Sequence, residues 1–344
     1  MIQRKYRTGE ASRRAGLRRA RGVLAVGAAL ALAGGAVQTA AAQDAASTGA
    51  KAGADKAASA AAAELTLKTM TFNACANTAP TTNVCINGQN TEKVASDLAN
   101  RIQTLHPDTR VVFLQEVCYN DIVALRKKVS SDWNFRFTGI KDEGSGSSPT
   151  GTVAPRACAK SRGNFGISIG VKADASFAVH YYPEDHVPHA RDKWKHWNVH
   201  QAAICADVAS WNTRVCGTHL TPAPGGSSAA FHDAQAAQVK DLIGYGGSGP
   251  RVILGGDLNS ATPVASKNST VGPLYDAYTE CDQANYGGAR DGEGTFQGTD
   301  GTRGSKLDYI FASKDATTSC YVTDARVKSS DHVPVTATTT FPAS

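Results

Sequence analysis

The residues able to do chemistry in this 344-residue chain stand at the ends of apolar runs. Asn73 closes LTLKTMTF, Glu116 lies near the end of VVFLQEV, His219 closes TRVCGTH, and Asp257 and Asn259 follow RVIL. Asp308 lies within KLDYIF, and Asp331-His332 directly precedes VPVTATTTF. Taken singly these are ordinary features. Gly-Asp-Leu-Asn reads as a satisfied loop, and Asp-His before a strand reads as a surface turn. Glu116 is harder to dismiss, because an apolar strand excludes a carboxylate by several kcal/mol unless the charge is paired or metal-bound. Polar groups at strand ends converge on one rim of a sheet, where loops form a site.

The elements that must position them follow from periodicity. Strand-like runs cover 65–72, 111–117, 165–171, 202–208, 213–220, 251–257, 306–312 and 333–341. Thr91 is expected to cap a helix that carries Val94, Leu98, Ile102 and Leu105 on one face and ends at His106-Pro107. Helical patterns also run from Asp121 to Val129 and from Phe231 to Ile243. Gly/Ser/Pro-rich stretches at 142–156 and 282–305 are long enough to be functional or mobile loops. Helices alternate with strands, yet several strands follow one another directly. A mixed α/β sandwich fits this order better than a strict βαβ wind.

Six segments in order, TFN (71–73), FLQEV (113–117), GTHL (217–220), GGDLN (255–259), KLDYIF (306–311) and SDH (330–332), resemble the endonuclease/exonuclease/phosphatase superfamily. The resemblance runs from about Leu65 to the C-terminus. It implies a four-layer αββα sandwich, two mixed β-sheets face to face with helices outside, and metal-dependent hydrolysis of a phosphate ester. Mg²⁺ is the implied ion, with Mn²⁺ or Ca²⁺ as alternatives; a hard cation wants oxygen ligands and keeps several waters. By the same resemblance Glu116 is the principal ligand, with Asn73 and Asp331 close to the ion or its waters.

The resemblance further implies that Asp257 orients the attacking water and that the Asn259 amide donates to a non-bridging phosphate oxygen. His332, held by Asp308, contacts the phosphate or takes the water's proton, while His219 approaches from the other side. Which histidine is base and which acid stays open. Attack is expected in line and without a covalent intermediate, since no Ser or Cys sits in a nucleophile motif. In Arg162-Gly163-Asn164 both Arg162 and Asn164 are candidates for substrate contact, with a plain turn as the other reading. Phe296 resembles a residue lining the leaving-group pocket, or else packs in the core.

Residues 1–43 read as a secretory signal: an Arg-rich start, an apolar stretch from Val23 to Val37, and Ala40, Ala41 and Ala42 before Gln43. The stretch is short of the roughly 20 residues of a membrane helix, though an uncleaved anchor is the alternative. Ser12-Arg13-Arg14-Ala15-Gly16-Leu17 partly resembles a twin-arginine signal, so the Sec and twin-arginine routes both stay open. Residues 44–63, with eleven Ala, read as a linker before a catalytic domain at 64–344. The formal charge of +6 belongs to the leader: without residues 1–43 there remain 28 bases and 29 acids. Eight cysteines in an exported chain favour four disulfides between sequence neighbours. Cys205 and Cys216 have a specific reason, since AICADV and TRVCGTH read as strands and a hairpin turning at Ser210-Trp211-Asn212 is expected to set them face to face.

His180, His186, His189, His196 and His200 crowd together with Trp194 and Trp197. The readings are a surface loop, a substrate-contacting loop, or a zinc site if His196 and His200 share a helix face. A secreted nuclease acting on DNA or RNA is the leading expectation, because an exported scavenging enzyme suits the signal and the His219 motif. Near-zero mature charge argues mildly against tight backbone binding. A phospholipase C-type enzyme acting on sphingomyelin or another phospholipid is the alternative, followed by an inositol phosphate phosphatase and by an inactive binding module. No protein partner is implied, and a monomer is expected.

Overall fold

The computed structural model describes residues 63–80, 84–142, 154–183, 185–189, 192–222, 229–298, 300–323 and 325–343, without the side chains of 185–189 and 192–199. The expected signal, most of the expected linker and the centre of the 142–156 stretch lie outside the described residues. In chain order the elements are β1 (Leu65–Asn73), α1 (Thr91–Asn100), β2 (Thr109–Cys118), α2 (Tyr119–Arg126), β3 (Asn134–Gly139), β4 (Lys141–Asp142), β5 (Ala154–Pro155), β6 (Phe165–Val171) and β7 (Ser176–Tyr181). Then come β8 (Asp185–His189), β9 (Asp192–His200), β10 (Ala202–Val208), β11 (Thr213–His219), α3 (Ala229–Gly246) and β12 (Val252–Asp257). The chain finishes with α4 (Gly272–Ala277), β13 (Thr279–Glu280), β14 (Asp308–Ala312), β15 (Thr317–Val322) and β16 (Val335–Phe341).

Two six-stranded mixed sheets result, ordered β15-β16-β1-β2-β6-β3 and β13-β14-β12-β11-β10-β7. Each holds one parallel pair, β1/β2 and β11/β12, flanked by antiparallel neighbours. A parallel pair requires a crossover, which α1 and α3 supply. Their apolar faces cover the outsides of the sheets: Val94, Leu98 and Ile102 pack with Met70 and Phe72, and Val239 and Leu242 with Leu254 and Phe311. This is the four-layer sandwich. Between the sheets the Phe113 ring of β2 lies where a Cβ on Gly217 or Gly255 would stand, so both positions require glycine.

Three local expectations are corrected. Asn90, extended at φ −129°, is the cap of α1 and accepts from Lys93 N–H at 3.0 Å; Thr91 is already helical. After Asn100 the helix widens into a π-turn over Arg101–Leu105, closed by His106 N–H to Arg101 O at 2.9 Å. That change of phase rotates Leu105 into solvent, 54% exposed, instead of onto the core stripe. Residues 192–200 form a strand in a small sheet ordered β5-β4-β9-β8. His196 and His200 therefore lie about 13 Å apart along a strand, not one turn apart on a helix; the side chains of His186, His189, Trp194, His196 and Trp197 lie outside the described residues.

All eight cysteines pair as sequence neighbours: 75–85, 118–158, 205–216 and 281–320. Cys205 and Cys216 are register partners in the β10/β11 hairpin, as the hairpin reading requires. Four disulfides fit an oxidising compartment. Among the described residues no helix is long and apolar enough to cross a membrane.

Candidate active site

The carboxyl ends of both parallel pairs meet at one rim. Asn73 is the last residue of β1, and Glu116 lies near the end of β2. The β2/β6 register skips from Leu114↔Ser168 to Val117↔Gly166, a bulge that puts Glu116 at φ 54°. A bulge re-aims the side chain it carries, and Glu116 Oε1 accepts from Asn73 Nδ2 at 3.1 Å. In the second sheet His219, Asp257 and Asp308 are consecutive register partners across β11, β12 and β14. One row on one face thus holds an imidazole and two carboxylates about 4.8 Å apart in strand spacing.

Asp257 is the centre. Its Oδ2 lies 3.0 Å from Asn73 Nδ2, 3.4 Å from His219 Nε2 and 3.7 Å from His332 Nε2, and its Oδ1 accepts from Asn259 N–H at 2.9 Å. The contact with Asn73 joins the two sheets. His332 arrives from the turn before β16 and sets Nδ1 2.7 Å from Asp308 Oδ2. Ser330 Oγ donates to Asn73 O at 2.6 Å and accepts from His332 N–H at 3.0 Å, so one hydroxyl ties the first and last segments of the site. Thr295 Oγ1 accepts from the N–H groups of Leu307 (2.9 Å) and Asp308 (3.0 Å), fixing the entry to β14.

Burial sharpens the electrostatics. Desolvation opposes the Asp257 carboxylate, but the charge of His332 and the His219 hydrogen bond outweigh it and hold the group down at about 2. His332 is likewise disfavoured as a cation by burial, yet Asp308 and Asp257 push it up to about 10. His219 is raised as well, its desolvation offset by the hydrogen bond to Asp257. Asp308 is raised by burial, and its Oδ1 has no hydrogen-bond partner. Burial also raises Asp331, with the nearby Glu116 charge adding to the effect. Four acids face two histidines, and among the described residues no Lys or Arg ion-pairs with any of the four.

Several expected positions take on sharper detail. Asn73 turns its nitrogen to two carboxylates while its Oδ1 accepts from Cys75 N–H at 3.0 Å; both neighbours demand this orientation, so it positions Glu116 and Asp257. The Asn259 amide nitrogen lies 2.9 Å from His219 Nε2 and donates to Leu220 O at 3.0 Å. Phe296 is no core residue: 37% exposed, its ring stands edge-on to His332 at 5.3 Å. Asn164 is exposed at the start of β6, its carbonyl accepting from Tyr119 N–H. Arg162 does not face a substrate. It is buried, with Nη2 at 2.7 and 2.5 Å from the two Asp121 oxygens and Nη1 at 2.5 Å from Ala76 O. Its Nε donates to Thr91 Oγ1 at 3.2 Å, and turning the guanidinium away would leave the buried Asp121 unpaired at high cost.

Sequence reasoning missed Gln235 and Gln238 of α3. Gln235 Nε2 donates to Thr221 O and Asn259 O, both at 2.7 Å, and Gln238 Oε1 accepts from Thr221 N–H at 2.9 Å. Their signal was present: they share the helix face of Phe231, Ala234, Val239 and Leu242, where glutamine is out of place unless bonded.

Structures of similar fold include an endonuclease/exonuclease/phosphatase from Beutenbergia cavernae DSM 12333 (TM-score 0.54, 16% identity, 80% of this chain and 72% of that one). A family protein from Leptotrichia buccalis C-1013-b is similar too (TM-score 0.51, 15% identity, 79% and 98%), as is one from Bacteroides thetaiotaomicron (0.50, 14%, 81% and 96%). At such identities the likeness shows the fold alone. No curated protein sequence matches this chain. The Endonuclease/Exonuclease/phosphatase family does match it, over residues 70–332, a span that encloses every position of the rim from Asn73 to His332. The chain belongs to that family, whose members are metal-dependent phosphoric ester hydrolases.

Proposed function

We propose that the protein is a secreted phosphodiesterase that cleaves nucleic acid by in-line attack of water, with Mg²⁺ as its ion and Mn²⁺ or Ca²⁺ as substitutes. The observation that carries this reading is Asp257, one carboxylate touched at once by Asn73, His219 and His332 from both sheets. The excess of acids over histidines at the rim and the partly exposed Glu116 and Asp331 suit a hard divalent cation. Glu116 and Asp331 would hold it, with Asn73 fixing Glu116 through its hydrogen bond. When bound, the ion supplies positive charge to the phosphate and to the developing leaving oxygen.

The chain's own groups divide the remaining work. Asp257 accepts a hydrogen bond from the attacking water and aims it at phosphorus. An incoming phosphodiester is itself an anion, and like charge beside Asp257 raises its basicity, so the water's proton passes to it as the P–O bond forms. His332, locked through Nδ1 on Asp308, presents Nε2–H to a non-bridging oxygen. His219 delivers a proton to the leaving oxygen. The Asn259 amide, anchored on Leu220 O, donates its other N–H to a non-bridging oxygen of the phosphate once His219 carries its proton.

The Phe296 ring beside His332 favours a nucleic-acid substrate. Stacking on an exposed ring contributes about 1–3 kcal/mol per base, and neither a lipid headgroup nor an inositol phosphate offers a base. The test is purified protein with Mg²⁺, Mn²⁺ or Ca²⁺ against plasmid DNA, RNA, sphingomyelin and inositol phosphates, with Asp257→Ala as control. Chelator-sensitive cleavage of DNA or RNA by the parent alone is expected. Intact nucleic acid with cleaved lipid rejects the substrate, and no cleavage of any ester rejects the enzyme.

A further inference from the structure

Two of the four disulfides begin at the same offset from the site. Cys75 is two residues past Asn73, and Cys118 is two past Glu116. Both parallel strands of the first sheet therefore leave the rim directly into a covalent clamp. The Cys75 and Cys85 sulfurs and a carboxylate oxygen of Asp331 all lie within 4.8 Å of one another, so this disulfide forms the wall behind Asp331. Cys75, Cys85 and Glu116 all hold positive φ, at 48°, 53° and 54°. Residues with a Cβ persist there only where the surroundings over-determine them.

The buried pair Arg162–Asp121 links the two clamps. Asp121 Oδ2 accepts from Cys118 N–H at 3.0 Å, and Arg162 reaches from the Cys158 loop to Ala76 O. Ala76 N–H in turn donates to Glu116 O at 2.9 Å, and Asn77 Oδ1 accepts from Ala159 N–H at 2.8 Å. Glu116 thus stands on a closed ring of covalent, ionic and hydrogen bonds, and the Cys75–Cys85 disulfide that adjoins the ring lies against Asp331. Two acids that repel each other need such a backing, since otherwise their loops relax apart before a cation arrives.

We infer that Cys75–Cys85, Cys118–Cys158 and Arg162–Asp121 form one positioning frame that sets the protein's affinity for its divalent cation. The inference rests on the reading of Glu116 and Asp331 as the metal side. Neither of the other disulfides has this place: Cys205–Cys216 crosses a strand ladder already hydrogen-bonded, and Cys281–Cys320 lies beside Glu280.

The test measures Mn²⁺ binding by calorimetry, with melting temperature and circular dichroism on the same samples. The pairs C75A/C85A and C118A/C158A are compared with C205A/C216A, and a fourth variant, R162M/D121N, removes the strut without touching a cysteine. The frame variants are expected to bind Mn²⁺ about 10- to 100-fold more weakly at temperatures where they remain folded. C205A/C216A is expected to melt earlier while holding Mn²⁺ within about twofold of the parent, well below that range. Should the clamp variants not fold, R162M/D121N alone decides. Equal weakening in C205A/C216A, or unchanged affinity in the folded frame variants, overturns the frame and leaves the hydrolase reading standing. If Glu116→Ala binds Mn²⁺ as the parent does, the metal-side reading falls and the frame with it.

Discussion

On the first sheet the chain leaves β1 and β2 through loops held by disulfides and a buried ion pair. On the second it leaves β11 and β12 through Leu220-Thr221 and Leu258–Ser260, held by the neutral amides of Gln235 and Gln238 and by Thr270 N–H on Ser260 Oγ at 2.9 Å. The two rims carry different chemistry, and the restraints follow it. Acids grouped for a cation repel one another until it binds, so the first rim requires stiff backing. Histidines that must keep their protons are sensitive to any nearby charge, and an Arg or Lys strut beside His219 would depress it. Amides restrain the second rim without altering its field.

The largest effect should separate the rims by mechanism. Asp257→Asn should lower kcat/KM for phosphodiester cleavage on the order of 10⁴-fold, with no recovery at raised metal. Glu116→Gln should lower it on the order of 10²-fold at low metal and recover in part when Mn²⁺ is raised. Identical, metal-insensitive losses in both would dissolve the distinction. A smaller effect is expected from Gln235→Ala, which removes the side-chain donor to the Thr221 and Asn259 carbonyls: about 1–3 kcal/mol of stability by denaturant melting, and about tenfold in kcat with Mn²⁺ affinity unchanged. Weakened metal binding in that variant would show that the rims are not independent.

The smallest expected effect is on the pH dependence of the metal-free protein. His332 is raised from 6.5 to about 10, so its contribution is complete below pH 6.5 and is lost as pH rises toward 10. Asp257 is lowered from 3.8 to about 2, so its contribution is present above pH 3.8 and is lost as pH falls toward 2. Melting temperature should therefore fall by a few degrees on the alkaline side, and His332→Gln should remove that slope. A parent curve flat from pH 6.5 to 10 would contradict the description of His332 as ion-paired with Asp308 and Asp257.

Much of this arrangement was legible in the chain because strand ends are marked twice, by the loss of alternation and by a polar residue. The row His219, Asp257, Asp308 needed only the order of strands to become neighbours. Cys205 and Cys216 were readable for the same reason, since a short hairpin fixes its own register. Arg162 was not: its partner Asp121 lies 41 residues back and is brought to it by the Cys118–Cys158 clamp, a long-range fact without local trace. The π-turn at Arg101–Leu105 was hidden because the apolar spacing of an α-helix continued through it. Residues 192–200 misled because His196 and His200 suggested a helical period in what is a two-residue repeat.

The glycines of the GGD segment invite interpretation as a flexible phosphate cradle, and Gly255 has another task. It and Gly217 leave a socket for the Phe113 ring, which lets the layers approach at mid-height. That approach governs whether the amide of Asn73 can span the gap to Asp257 at 3.0 Å. A single methyl at Gly255 would act as a wedge, opening the active centre from below by prying its two walls apart, with every polar residue still in place.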